Sequence, residues 1–279
     1  QHGNIIINTN RPKEPKTMYT PTLRKRNLIM NEETFNISIQ DTVVFIVGIC
    51  GGQGGCKTNL ANLIAKKIPN SAVILENSFF KTSTVRRKLS AGDETLVGEF
   101  DGYNKERKLL LTELSNYNAY DYENFYDTLK KLKEGTKVKV RQFDEESQKF
   151  VDELEVDPAK INVVIVVGYF LFKNEKVRNA INLKIYNEID DDGRLSRLLI
   201  NENYYLKNNP IAFKTFFMIY EKYLKSTYET HIALSKQYAQ MILPNYIVSE
   251  NEKIEGDETL NLLLTNLTNI YNFFNENKL

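Results

Sequence analysis

From residue 41 onward, short apolar runs alternate with longer amphipathic stretches. VVFIVG (43–48), AVILE (72–76) and NVVIVVG (162–168) are nearly unbroken apolar runs. That is the pattern of strands covered on both faces. LKIYNE (183–188) and NYIVS (245–249) predict two further strands. Apolar residues recur at helical spacing in NLANLIAKKI (59–68), KERKLLLTELSNY (105–117) and YENFYDTLKKLKEG (122–135). The same spacing predicts helices over DGRLSRLLINENYY (192–205), AFKTFFMIYEKYLKSTYETHIALSKQYA (212–239) and residues 258–275. KVKVRQF (137–143) alternates and predicts a β-hairpin closed by KFVDELEV (149–156). Strands alternating with helices imply an α/β fold: a parallel sheet with helices on both faces, NVVIVVG being its central strand.

Residues 1–40 do not share this pattern. RPKEPK and PTLRKR carry proline and charge with little periodicity, so an N-terminal extension, 1–40, is expected before a domain spanning 41–279. The first 30 residues hold Arg11, Lys13, Lys16, Arg24, Lys25 and Arg26 against Glu14. That bias resembles a mitochondrial presequence, although the prolines oppose an amphipathic helix.

A chain of 279 residues with 42% hydrophobic content can bury a substantial core. Its net charge of +1 gives no reason to expect nucleic acid as a partner. No apolar run approaches the ~18 residues of a membrane-spanning helix. Both cysteines, Cys50 and Cys56, fall in one glycine-rich stretch, and the histidines are His2 and His231 alone. A disulfide framework, a zinc site and a Ser–His–Asp triad are thereby disfavoured, and a reducing compartment fits. A cytoplasmic location is expected, with a mitochondrial one as the alternative. The acidic run EIDDDG (188–193) reads as a helix N-terminus with aspartate caps, and His231 as a packing or surface residue.

The stretch that carries candidate chemistry is GICGGQGGCKTNLA, between the first predicted strand and helix. It matches G-x-x-x-x-G-K-S/T at every position except Cys56, where glycine is expected. Gly51, Gly52, Gly54 and Gly55 would let backbone N–H groups turn toward phosphate oxygens. Lys57 would reach the β- and γ-phosphates, and Thr58 would bind Mg²⁺. A Cβ and sulfur at Cys56 should strain the loop or crowd the phosphates. A phosphate-binding loop and a ligand-free glycine-rich turn both remain open.

Further along, ENSFFK (76–81), EFD (99–101), EGTKVKV (134–140), VVGYFLF (166–172), DGRLSRLL (192–199) and SKQYAQMILP (235–244) follow in order. Together with the loop these resemble the uridine–cytidine kinases, in the uridine kinase and phosphoribulokinase group of P-loop enzymes. The resemblance spans about residues 42–250. It implies a P-loop kinase-like sheet with a small β-hairpin and a helical lid. It also implies transfer of a phosphoryl group from ATP to the 5′-hydroxyl of uridine or cytidine, with Mg²⁺. Such transfer needs a metal, cationic clamps and a carboxylate that positions the attacking hydroxyl.

By resemblance, Asp101 would hold the ribose hydroxyls, and Arg194 and Arg197 would belong to the lid. Phe143 and Gln148 fall where the pyrimidine is read. The family's base falls on Asn77, and a metal-site carboxylate falls on Val167. An amide cannot accept the hydroxyl proton. Glu76 beside it is expected to face the opposite way, since successive strand residues alternate. The lid's arginine-rich tail is replaced by NENYYLKNNP (201–210). The leading expectation is therefore a uridine kinase-like pseudoenzyme: a structural or regulatory subunit that works with other protein subunits, with binding of ATP and Mg²⁺ weakened or lost. The alternative is an active, divergent uridine–cytidine kinase of pyrimidine salvage.

Overall fold

The computed structural model describes residues 29–30, 42–81, 110–112, 114–145, 147, 149–244 and 258–276. Its strands are β1 (Ile29–Met30), β2 (Phe45–Cys50), β3 (Ser71–Leu75), β4 (Val138–Asp144), β5 (Lys149–Val156), β6 (Val163–Gly168), β7 (Leu183–Glu188) and β8 (Met241–Pro244). Its helices are α1 (Lys57–Lys67), α2 (Tyr122–Lys133), α3 (Glu175–Ala180), α4 (Asp191–Leu206), α5 (Pro210–Ile219) and α6 (Glu258–Glu276). Six strands form one sheet in the order β1-β8-β7-β2-β6-β3. Strands β3, β6, β2, β7 and β8 run parallel to their neighbours, and β1 pairs antiparallel with β8. The only described part of the expected extension is thus a short strand closing one sheet edge. Strands β4 and β5 form the separate antiparallel hairpin.

The apolar runs form strands because both sheet faces are covered. Phe45, Val47 and Ile49 of β2 pack with Leu60, Ala61 and Ile64 of α1 and with Leu263, Leu264, Leu267 and Phe274 of α6. On the other face, Ile46 and Cys50 meet Phe125, Leu129 and Leu132 of α2 and the hairpin residues Val138, Val140 and Val156. A third cluster joins Leu198 and Leu206 of α4 to Ala212, Phe216 and Ile219 of α5. Burial of such side chains contributes roughly 1.5–3 kcal/mol each. Helix ends obey local rules: the Asp121 carboxylate caps α2 by accepting from Asn124 N, and Asp190 caps α4 by accepting from Gly193 N. The acidic run is therefore a helix start, as its pattern predicts.

Two expectations are corrected and a third is untested. Strand β6 is not at the middle of the sheet; it lies between β2 and β3. The predicted strand at 245–249 lies outside the described residues, and the last described strand is β8, just before it. The long helix over 212–239 is α5 only as far as Ile219; π-helical turns follow over Tyr220–Lys225 and Tyr228–Ile232, then a 3₁₀ segment over Ala233–Tyr238.

Candidate active site

Strand β2 delivers the chain into the glycine loop at the carboxyl edge of the sheet, and α1 begins at Lys57. At Cys56 the backbone adopts φ 52°, ψ 27°, the left-handed region. A side-chain-bearing residue holds that conformation at a cost of about 1–2 kcal/mol. The expected strain is therefore present, and the loop keeps the backbone that glycine would adopt. The thiol lies 3.8 Å from the Gly54 carbonyl oxygen.

Neighbouring elements press on the loop. The Asn187 side chain on β7 donates to the Gly55 carbonyl oxygen at 2.5 Å. Gly54 has φ 76°, and a Cβ there would sit 2.5 Å from the Arg194 carbonyl oxygen. A Cβ on Gly52 would meet Arg194 and the Tyr228 ring at 2.8–2.9 Å. Arg194 is only 2% exposed. Its guanidinium lies 3.4 Å from the Tyr228 ring centroid and bonds Asp191, while its Nε is buried without a partner among the described residues. The fold thus brings Arg194 onto the loop. Arg197 lies three residues further along α4, half-buried.

Lys57 is 6% exposed. Its Nζ donates to the Gly52 carbonyl oxygen at 2.8 Å and lies 4.1 Å from the centroid of the Tyr169 ring. Burial pulls its pKa down to about 8, opposed by the charges of Cys50, Glu76, Cys56 and Glu145. Thr58, next in the first turn of α1, is half-buried. Among the described residues no group of three His, Cys, Asp or Glu side chains could hold a metal. The Thr58 hydroxyl would suit a Mg²⁺ ion held mostly by phosphate oxygens and water.

Glu76 corrects the alternation expectation. Strand β3 ends at Leu75, and residues 76–79 form a 3₁₀ turn, so Glu76 and Asn77 are both buried. The Glu76 carboxylate accepts from Tyr169 N at 2.6 Å, Phe170 N at 3.2 Å and Tyr122 OH at 3.0 Å. A Cβ on Gly168 would collide with it at 2.5 Å. Burial raises its pKa to about 7, while the two backbone N–H groups, Tyr122 and Lys57 lower it. Cys50 is no nucleophile: its thiol donates to the Tyr169 carbonyl oxygen at 3.3 Å, and burial pushes its pKa to about 11.

Asn77 is 9% exposed. Its Nδ2 donates to Glu145 Oε1 at 3.2 Å, and its Oδ1 is buried without a partner among the described residues. Phe143 is buried nearby, edge-on to Phe80 and Phe150 with ring centroids 5.1 and 5.5 Å apart. Val167 is buried in the apolar cluster shared with α1. Asp101 and Gln148 lie outside the described residues. Sequence reading missed Asn187, Tyr169, Tyr228 and Glu145. A polar residue near the end of an apolar strand was the one available signal, and it marks Asn187.

The Phosphoribulokinase / Uridine kinase family matches residues 46–250. A uridine kinase from Borrelia turicatae is 33% identical over 229 residues, covering 78% of this chain and 98% of that relative. Uridine-cytidine kinase B from Dictyostelium discoideum is 24% identical over 202 residues, covering 72% of this chain and 74% of its own. Among solved structures, phosphoribulokinase from Rhodobacter spheroides superposes with a TM-score of 0.50 at 11% identity, over 70% of this chain and 68% of the other, a likeness of fold. With the loop, the sheet order and the lid helix in place, the chain belongs to the phosphoribulokinase and uridine kinase family.

Proposed function

We propose that the chain is an ATP-dependent nucleoside kinase whose acceptor is uridine or cytidine. The observation that carries this reading is the left-handed backbone at Cys56. A turn that merely joined strand to helix has lower-energy routes than one storing about 1–2 kcal/mol at a cysteine. A loop held in that conformation directly before α1 would let backbone N–H groups and the helix start act together on a phosphate. Lys57 is held over that loop by the Gly52 carbonyl oxygen, a bond that a phosphate oxygen can replace. Arg194, buried against Gly52 and Gly54, adds a second cation from the lid. The relatives named uridine kinase support the choice of acceptor.

In this reading Lys57 and the loop bind the triphosphate, and Arg194 offsets charge on the transferring group. Mg²⁺, held by Thr58 and the phosphates, would supply further charge neutralisation when bound. A second reading, a nucleotide-binding subunit without turnover, is favoured by one observation: valine at 167 leaves no carboxylate at that strand end. The pseudoenzyme expectation is retained in that form only, since neither the relatives nor the site supports a partner.

Purified chain with Mg·ATP and uridine or cytidine separates the two readings. Formation of ADP and the nucleoside monophosphate is expected, reduced at least about 100-fold by Lys57→Ala. Calorimetric ATP binding without product would instead establish the second reading.

A further inference from the structure

We propose that Glu145, at the tip of the β4–β5 hairpin, is the catalytic base of phosphoryl transfer, accepting the proton of the nucleoside's primary hydroxyl. This rests on the kinase reading above. Transfer to an alcohol requires a carboxylate at the loop that orients and deprotonates the attacking oxygen. Among the described residues two carboxylates act electrostatically on Lys57, those of Glu76 and Glu145. Glu76 is closed to substrate: it is 2% exposed, and two backbone N–H groups and the Tyr122 hydroxyl already occupy it. Asp144, next to Glu145, is engaged within its own turn, accepting from Ser147 N at 2.8 Å. Among the described residues Glu145 is the carboxylate left, half-buried at the hairpin tip.

The register of the sheet brings Asn77, the partner of Glu145, to the same edge as the glycine loop. Leu75 of β3 pairs with Val167 of β6, which pairs with Ile49 of β2. The residues after Leu75 and those after Cys50 therefore leave the sheet at the same carboxyl edge, on either side of β6, where open α/β sheets bind ligands. Asn77 stands at that edge and cannot itself take a proton. Its Nδ2 draws Glu145 across from the hairpin through Oε1, leaving Oε2 for a substrate hydroxyl. The Asn77 Oδ1, buried without a partner among the described residues, is a ready acceptor beside it. The carboxylate that position 77 lacks is thus supplied by a residue 68 positions away.

The step balances as follows. The hydroxyl proton passes to Glu145 while the hydroxyl oxygen bonds to the γ-phosphorus of ATP. The bond from that phosphorus to the β,γ-bridging oxygen breaks, and ADP departs with the electron pair. Protonated Glu145 then returns its proton to water.

Full-length chain carrying Glu145→Gln tests this by steady-state kinetics, uridine titration and thermal unfolding. The expected result is a fall in kcat of about 10²–10⁴-fold, with the KM values, uridine affinity and Tm close to wild type. In the double variant Asn77→Asp with Glu145→Gln, amide and carboxylate exchange places across the same hydrogen bond. It should recover at least about 10-fold of the lost kcat. Wild-type kcat in Glu145→Gln, or a loss matched by falls in Tm or uridine affinity, overturns the assignment while leaving the kinase reading intact. A wild-type chain without Lys57-dependent turnover overturns both.

Discussion

At Cys56 the cost of the left-handed backbone comes from the Cβ, not from the sulfur. Glycine removes that clash but brings a more flexible unfolded chain, an offset of about 0.5–1 kcal/mol. Cys56→Gly should therefore stabilise the protein by roughly 0.5–1 kcal/mol, raising Tm by a few degrees in a domain of this size. Cys56→Ala keeps the Cβ and loses the contact with the Gly54 carbonyl oxygen, so no gain is expected. Thermal unfolding of both variants decides the matter. Stabilisation by alanine but not glycine would locate the strain elsewhere. If the loop binds phosphate, glycine should also leave the KM for ATP unchanged or lower, because the backbone already has the glycine conformation.

Among the elements, α4 couples fold to site most directly. Its start is set by Asp190, which accepts from Gly193 N, and Asp191 and Asp192 complement the helix dipole. One residue past Gly193, Arg194 lies over the glycine loop. Asp190→Ala should cost about 1 kcal/mol in stability and let the first turn fray. The KM for ATP should then rise several-fold while kcat changes less, as steady-state kinetics beside a urea titration would show. An unchanged KM with the full stability loss would mean that Tyr228 and Asp191 position Arg194 without the helix cap. Elements of this kind were legible in the sequence where local pattern decides them. The runs that became β2, β3, β6 and β7 are short and apolar, the hairpin alternates, and the glycine loop carries its spacing in one stretch. The π-helical turns after α5 were not legible, because apolar residues at helical spacing look the same whether backbone bonds run i→i+4 or i→i+5. Neither was the meeting of Asn77 with Glu145, nor that of Arg194 with Gly52 and Gly54. These are long-range contacts created by packing the hairpin and α4 against the sheet, and no local periodicity encodes them.

At the scale of the whole molecule, the buried Lys57 and Glu76 link folding to pH. Glu76 has a folded pKa near 7, above its ordinary 4.5, so the native state holds its proton where the unfolded chain has lost it. Stability from this group is fully present below about pH 4.5 and declines as pH rises through about 7. Lys57 has a folded pKa near 8, below its ordinary 10.5. Between those values the unfolded chain holds more protons, so this group's contribution grows as pH rises from about 8 to 10.5 and is lost as pH falls through about 8. The two together place a stability minimum between about pH 7 and 8, with each limb worth on the order of 3 kcal/mol. Urea unfolding from pH 5 to 10 should show it. Glu76→Gln should flatten the acid limb and Lys57→Met the alkaline one, each read as a difference from wild type so that other titrating groups cancel. The trough also has a functional consequence. A bound triphosphate favours charged Lys57, so Mg·ATP should take up protons on binding near pH 8 and stabilise the fold most where the free protein is weakest. Calorimetry in buffers of different ionisation enthalpy measures that uptake. Its persistence in Lys57→Met would show that the protons go elsewhere.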